Sequence, residues 1–425
     1  MLLGTIARGQ FLYSHLSGFE NTKFHVDYSQ FRGEGEDLSR LEVYYKIFNA
    51  DLLFVKETDL FRAAYDIHIS VFNKKGRIVA SEVIEKETTV REYARTQAPN
   101  DFRIGQVNFN LPGEKYKVEC RLIDKNSGDQ TSRDFKVELD NFDSRRPQLS
   151  GIQFLLTVDS TLIDSAFVKN GYSYIPDVHR YYGGDTSATV KIYYEIYKSR
   201  SDKDEIPVVL QVIDRKKNWV YRDSVDVTFD SGGIIRRYEE IPLRGFKSGE
   251  YTIESIVVGR RGRGLDKANG SFMVYWTPEA MVLNDFESAT QQMSYIATSD
   301  EMNRFKDLVS PAEQLQAWKE FWLVRDPTPG TRPNEYKDEY YMRVRYADRV
   351  FSVMRKEGWR TDRGMIYILY GEPNQIEDHP FEMGYKPYQV WYYYNVANQV
   401  REFLFVDNYG NNDYVLQYPY DGIHH

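Results

Sequence analysis

A succession of short alternating segments occurs twice along this chain, in the same order. Leu41-Glu42-Val43-Tyr44-Tyr45-Lys46-Ile47 is echoed by Val190-Lys191-Ile192-Tyr193-Tyr194-Glu195-Ile196. The strand, turn and strand around Asn73-Lys74-Lys75-Gly76 return around Arg215-Lys216-Lys217-Asn218, followed by Trp219-Val220-Tyr221. Leu111-Pro112-Gly113-Glu114-Lys115-Tyr116 then has a counterpart in Phe246-Lys247-Ser248-Gly249-Glu250-Tyr251. Period-two alternation broken by turn residues is the pattern of antiparallel sandwiches rather than of strand-helix-strand units. Ordered self-similarity marks a duplicated module. The expectation is two tandem Ig-like β-sandwich modules, 22–142 and 150–276, each burying its own apolar interior, with a linker around Asp143-Ser144-Arg145-Arg146-Pro147.

After Trp276 the apolar period lengthens to about 3.6, the spacing of amphipathic helices. Thr277-Pro278-Glu279 predicts one helix start, and Ser310-Pro311-Ala312-Glu313 predicts a second with a capping box. The longest helix is expected over 334–356, with Tyr340, Val344, Ala347, Phe351 and Met354 as its buried stripe and Gly358 as its stop. Acidic Glu335, Asp338 and Glu339 at its start and basic Arg349, Arg355 and Lys356 at its end suit the helix dipole. Strands are expected over 365–370, 390–395, 402–406 and 414–418. Helices followed by a small antiparallel sheet make 277–425 an α+β domain. The fold class is therefore multidomain and mainly β, with an α+β C-terminal domain.

The length of 425 residues exceeds what one core organises, and 15% aromatic content with 34 tyrosines favours pleated, packed structure over disorder. A net charge of -8 offers no broad positive field for a phosphate backbone, so nucleic acid is not an expected partner. No apolar run reaches the roughly 18 residues that span a bilayer. The segment 1–21 reads either as the remnant of a signal peptide or as a plain terminus, and whether His424 and His425 are native is left open. Cys120 is the single cysteine, so no internal disulfide forms.

The segment Gly358-Trp359-Arg360-Thr361-Asp362-Arg363-Gly364, followed by Ile366-Tyr367-Ile368-Leu369-Tyr370-Gly371-Glu372-Pro373, resembles the bacterial GWxTD domain family, found notably in Bacteroidetes and relatives. Phe321-Trp322, Arg325-Asp326-Pro327-Thr328-Pro329, Asn334-Glu335-Tyr336 and Val390-Trp391-Tyr392-Tyr393 extend the resemblance over roughly the last third of the chain. It implies an exported protein and no established reaction.

The motif admits two readings. In the first, Gly358 ends a helix, Trp359 fills the gap between helix and sheet, and Thr361 or Asp362 bonds nearby amides. In the second, Trp359, Thr361, Asp362 and Arg363 share a cleft with Arg325 and Asp326, where paired carboxylates serve acid/base chemistry or hold a metal. The oxygen-rich 407–413 and 124–129 segments lack the spacing of a calcium loop and read as turns. Gly259-Arg260-Arg261-Gly262-Arg263-Gly264 reads as a hairpin tip, Cys120 as a buried residue beside Val118 and Leu122, and His379 as a lone loop histidine. No nucleophile elbow, zinc helix, phosphate loop or paired Cys-x-x-Cys site is present. No cofactor or metal is expected. The leading expectation is a non-catalytic extracytoplasmic protein, structural or protein-binding, with a partner in the cell envelope. Two alternatives stay open: a hydrolase-type enzyme using Asp362, Arg363 and Asp326, and a glycan-binding module with exposed aromatic faces.

Overall fold

The computed structural model describes residues 24–35, 37–98, 101–142, 146–161, 166–184, 187–199, 204–330, 334–353, 356–396 and 399–417. Expectations for 1–21, Met354, Arg355, most of the linker motif, Tyr418, His424 and His425 lie outside these residues. The chain divides into two compact units. One runs to Tyr275, leaving out 184–186 and 245–247, and the other holds those short stretches and everything from Trp276 onward.

The first unit opens with β1 (His25–Arg32), β2 (Leu38–Phe48), β3 (Val55–Glu57), β4 (Leu60–Phe72), β5 (Ile78–Val90), the one-turn α1 (Tyr93–Thr96), β6 (Phe102–Pro112), β7 (Lys115–Asp124) and β8 (Gln130–Glu138). All pairing is antiparallel. One sheet is ordered β1-β2-β6, and the other β5-β4-β7-β8 with β3 also on β4. Strand β4 alternates strictly, with Ala63, Tyr65, Ile67, Ile69 and Val71 inward, as a half-buried strand must. They pack with Leu41, Val43, Tyr45 and Ile47 of β2 and with Val118, Cys120 and Leu122 of β7.

The chain then lays down β9 (Gln148–Leu149), β10 (Gln153–Asp159), β11 (Val168–Lys169), β12 (Tyr172–Pro176), β13 (Tyr181–Gly184), β14 (Thr189–Tyr197), β15 (Glu205–Asp214), β16 (Trp219–Thr228), β17 (Ile234–Pro242), β18 (Gly249–Val258) and β19 (Gly264–Trp276). Within its two sheets, β10-β14-β17 and β16-β15-β18-β19 repeat the orders β1-β2-β6 and β5-β4-β7-β8 strand for strand. The second set is larger because the segment between β10 and β14 carries β11, β12 and β13, which extend the sheet edges.

The burial pattern of β2 departs from simple alternation. From Leu41 to Ile47 every residue is buried, so both faces of the β1-β2 sheet are covered. Its outer face meets the second set of strands. Phe31 packs with Leu155 and Tyr193. Lys169 lies 3.7 Å from the Phe31 ring centre, donates to Glu42 at 2.8 Å and to Gln153 at 2.7 Å, and Tyr44 also donates to Glu42 at 2.7 Å. Arg180 holds both oxygens of the buried Asp27, at 2.7 and 2.5 Å. The Gly151 amide donates to the Gln30 carbonyl at 2.7 Å, and a Cβ on Gly151 would come within 2.7 Å of Ser29 Oγ. The His25 ring packs at a tilt against that of His179, with ring centres 4.0 Å apart.

The second unit contains α2 (Pro278–Asn284), α3 (Phe286–Met293), α4 (Ser299–Lys306), α5 (Pro311–Val324), α6 (Glu335–Phe351) and α7 (Asp362–Tyr370), then an antiparallel sheet β20 (Gln375–His379), β21 (Tyr388–Val396), β22 (Gln399–Asp407) and β23 (Tyr414–Leu416) in that order. Among the described residues no helix is long and apolar enough to cross a membrane. Three expectations are corrected. Residues 365–370 are helical rather than extended: the Thr361 hydroxyl caps the start of α7, and this local bond overrides the strand preference of Ile366, Tyr367 and Ile368. Ser310 makes no side-chain capping bond, although Pro311 takes the first helical position as expected. The capping box forms instead at Thr298 and Glu301. Finally, α6 stops at Phe351, where Ser352 turns extended and its hydroxyl bonds back to the Asp348 carbonyl.

Arg180→Met strands the Asp27 carboxylate in a dry setting and should cost about 3–5 kcal/mol in urea unfolding; adding Asp27→Asn should recover a large part of that loss. Burial, then the charges of Lys46 and Arg133, lowers the His25 pKa to about 4. Burial, then His25 and Lys46, lowers that of His179 to about 3. Both rings are therefore neutral in the fold while the unfolded chain takes up protons below the ordinary 6.5. Their contribution is complete above that pH and declines as pH falls toward 4, by at most about 1.4 kcal/mol per pH unit for each ring. His179→Asn should flatten the decline in melting temperature over that window.

Candidate functional site

The Gly358–Gly364 segment around Trp359 is built on the end of α6. The Gly358 amide donates to Asp348 Oδ1 at 2.9 Å and to Ser352 Oγ at 2.8 Å. Its position leaves no room for a side chain, since a Cβ would lie 2.0 Å from the Ala347 carbonyl oxygen. Gly358 is thus required by close approach to the helix, not by a left-handed stop as its place after a long helix suggested. Gly364 repeats the arrangement one turn on: a Cβ there would lie 2.0 Å from the Gly358 carbonyl oxygen. Between the two glycines, Thr361 Oγ1 donates to that carbonyl at 2.7 Å and accepts from the Gly364 amide at 3.0 Å.

The remaining motif residues radiate from this turn. Trp359 is only 4% exposed, its carbonyl takes the Tyr295 hydroxyl at 2.8 Å, and the Arg360 guanidinium lies 4.0 Å from its ring centre. Asp362 Oδ2 accepts from the Leu416 amide at 2.9 Å, which fastens α7 to β23. Arg363 is buried and donates to the Asn412 carbonyl at 3.0 Å and to Gln389 Oε1 at 3.3 Å. Its guanidinium lies 4.3 Å from the ring centre of Tyr414 and 5.3 Å from that of Phe351. Burial lowers its pKa, although Tyr414 and the nearby carboxylates oppose the shift.

The other pair proposed from sequence has different partners. Arg325 clasps both oxygens of Glu301 at 2.9 and 2.8 Å, donates to the carbonyls of Phe321 and Ile296, and covers the Phe321 ring at 3.7 Å. Asp326 Oδ1 accepts from the Thr328 amide at 2.9 Å, a local turn. Arg325 thus ties α4 to α5 and Asp326 shapes the turn that follows α5, whereas Asp362 and Arg363 tie α7 to the sheet. Each carboxylate of the suggested acid/base pair is engaged by a backbone amide in its own neighbourhood.

Sequence reasoning overlooked Asp348, Ser352, Gln389, Asn412 and Tyr414, which hold the motif in place. The pair of glycines six residues apart was the available signal for Gly364. The 407–413 segment is a hairpin turn in which Asp407 accepts from the amides of Tyr409, Gly410, Asn411 and Asn412. Burial alone would raise the Asp407 pKa, but these four amides outweigh it and hold the pKa low. Asp124 caps the 124–129 turn through the amides of Asn126 and Ser127. Arg260–Gly262 forms the tip between β18 and β19. Cys120 is fully buried, and burial raises its thiol pKa. His379 is not in a loop: it ends β20 and stacks on Tyr388 across the strand pair, ring centres 4.3 Å apart. Among the described residues no group of three or more His, Cys, Asp or Glu side chains is placed to hold a metal ion.

Gly358→Ala should unfold the second unit or cost well over about 3 kcal/mol, because the obstacle is helix backbone that cannot yield. Thr361→Val keeps the volume but removes both bonds, and should cost about 1–2 kcal/mol in thermal or denaturant unfolding.

No curated protein matches the chain. Solved structures that resemble it include a glycosyl hydrolase family 2 member from Bacteroides cellulosilyticus, with 11% identity over 56% of this chain and 26% of that one and a TM-score of 0.21. Red sea bream transglutaminase has 8% identity over 60% of this chain and 31% of that one, with a TM-score of 0.18. A calcium-binding mutant of Bacteroides uniformis beta-glucuronidase 2 has 9% identity over 58% and 28%, with a TM-score of 0.23. The chain spans only about a third or less of these proteins, and likeness this slight carries no functional argument. The sequence profile of the GWxTD domain matches residues 266–421, a span that contains the whole glycine-clasped turn, and the chain is a GWxTD domain-containing protein.

Proposed function

We propose that this is a non-catalytic extracytoplasmic protein whose β modules serve as spacers and docking surfaces and whose GWxTD domain binds a partner protein in the cell envelope. The observation that carries the reading is the hairpin tip between β20 and β21. Phe381, Met383 and Tyr385 are 97%, 98% and 72% exposed there. Scattered surface apolar residues are ordinary, but three large ones within five positions mark an interaction site. The tip is held in shape from below. Glu382 accepts the Tyr388 hydroxyl at 2.6 Å and lies 3.5 Å from His379, and the Tyr385 amide donates to the Glu382 carbonyl at 3.1 Å.

Glu377, Asp378 and Glu382 flank the tip, against Lys386 as the one full positive charge of the hairpin. The partner that fits is therefore a protein with an apolar pocket bordered by cations, since electrostatic complementarity favours a basic rim. An acidic neck of this kind disfavours an anionic bilayer surface. The motif around Trp359 acts in this reading as the frame that fixes α7 against the sheet carrying the tip. The compartment rests on the resemblance of the motif to an exported family.

Immobilised full-length chain should retain a specific protein from envelope extracts. Phe381→Asp combined with Met383→Asp should abolish that retention while leaving stability within about 0.5 kcal/mol of the parent, as befits exposed positions. Recovery of no specific partner, or retention indifferent to the double change, overturns the reading.

A further inference from the structure

We propose that two copies of this chain associate through the open edge of β5, forming an antiparallel pair about a two-fold axis at Ile84. The proposal goes beyond the partner reading above and does not depend on it. Among the described residues β5 pairs only with β4, so the thirteen-residue strand presents its other edge to solvent. Arg103 of β6 donates to Thr88 Oγ1 at 2.6 Å, which places the unobstructed part of that edge before Thr88. An open edge offers a row of unpaired amides and carbonyls, and natural proteins usually blunt it with charge. The charges of β5 are arranged so that another copy of the same strand is not repelled.

Strand β5 carries Glu82, Glu85, Lys86 and Glu87. Glu85 is already paired with Lys125 at 2.8 Å, and Glu87 with Arg62 at 3.4 Å. Glu82 and Lys86 are both exposed and have no ion-pair partner among the described residues; across β4 they face the neutral Ile69 and Tyr65. In a two-fold antiparallel pair, opposite residues have numbers with a constant sum, and an axis perpendicular to the sheet requires that sum to be even. An axis at Ile84 sets Glu82 of each copy opposite Lys86 of the other and Ile84 opposite Ile84, with Ser81 opposite Glu87. Moving the axis by one residue to Val83 instead sets Ser81 opposite Glu85 and leaves Lys86 facing Ala80; moving it to Glu85 sets that acid against its own copy. The two unpaired charges thus select one register, and each finds its complement twice by symmetry. Val83, 57% exposed, would be covered against the aliphatic stem of Glu85.

The test is sedimentation of the full chain between roughly 1 and 100 μM protomer. The parent should show a concentration-dependent dimer. Lys86→Glu alone and Glu82→Lys alone each set like charges opposite one another twice, and should weaken the dimer by about tenfold or more. The double variant Glu82→Lys, Lys86→Glu should regain parental association, and so should an equimolar mixture of the two single variants, because each then supplies what the other lacks. A parent that stays monomeric throughout the range overturns the proposal. So does a dimer indifferent to either single change, or one that neither the double variant nor the mixture restores.

Discussion

The arrangement of the first unit depends on a sheet with no free face. Strands β1 and β2 give one side to the apolar interior shared with β4 and β7 and the other to the strands that follow residue 150. Charged groups on that second side lie out of water, where an isolated carboxylate would be severely penalised. Glu42 is satisfied by Lys169, Tyr44 and Arg40, and Asp27 by the fork of Arg180. Such pairs add little net stability compared with apolar packing, but they have directional requirements that a greasy contact lacks. The seam therefore fixes which face meets which, and Gly151 lets the two backbones approach within hydrogen-bonding distance.

How much of this the amino-acid order disclosed follows from the range over which each signal acts. Alternation in β4 and the hairpin at Asn73 are local, and the repetition of segments around Leu41 and Val190 mapped onto strands in equivalent places. What covers the outer face of β2 is not local. Glu42 and Lys46 look like solvent-facing residues until Lys169, 127 positions away, arrives to meet the first of them. The same limitation applies around Trp359. Ile366, Tyr367 and Ile368 favour a strand by composition, and only the contacts of Thr361 with Gly358 and Gly364 make them helical. Arg363 looked like a site residue because it adjoins Asp362 in the motif; here Phe351, Tyr414 and the Asn412 carbonyl surround it.

In the binding role proposed above, the second unit separates rigidity from recognition. Aromatic packing of Trp318, Trp322, Tyr340 and Tyr341 and the clasped turn at 358–364 are internal: the Trp318 indole donates to the Tyr341 hydroxyl and the Tyr340 hydroxyl to the Gln292 carbonyl, while the buried Trp322 indole N–H meets no acceptor among the described residues. Large apolar residues facing outward include Phe381 and Met383 on the β20–β21 hairpin and, elsewhere in the unit, Val309 and Val324. A stiff base with a projecting apolar tip loses little conformational freedom when the tip is covered, which is the usual advantage of a preorganised binding element.

The stacking of Gly358 on the α6 backbone and of Gly364 on Gly358 has a consequence for reading related sequences. A signature in which Gly358 has no room for a side chain records a shape. Chains that preserve it inherit the crossing of α6 and α7, and remain at liberty to differ in whatever their hairpins touch.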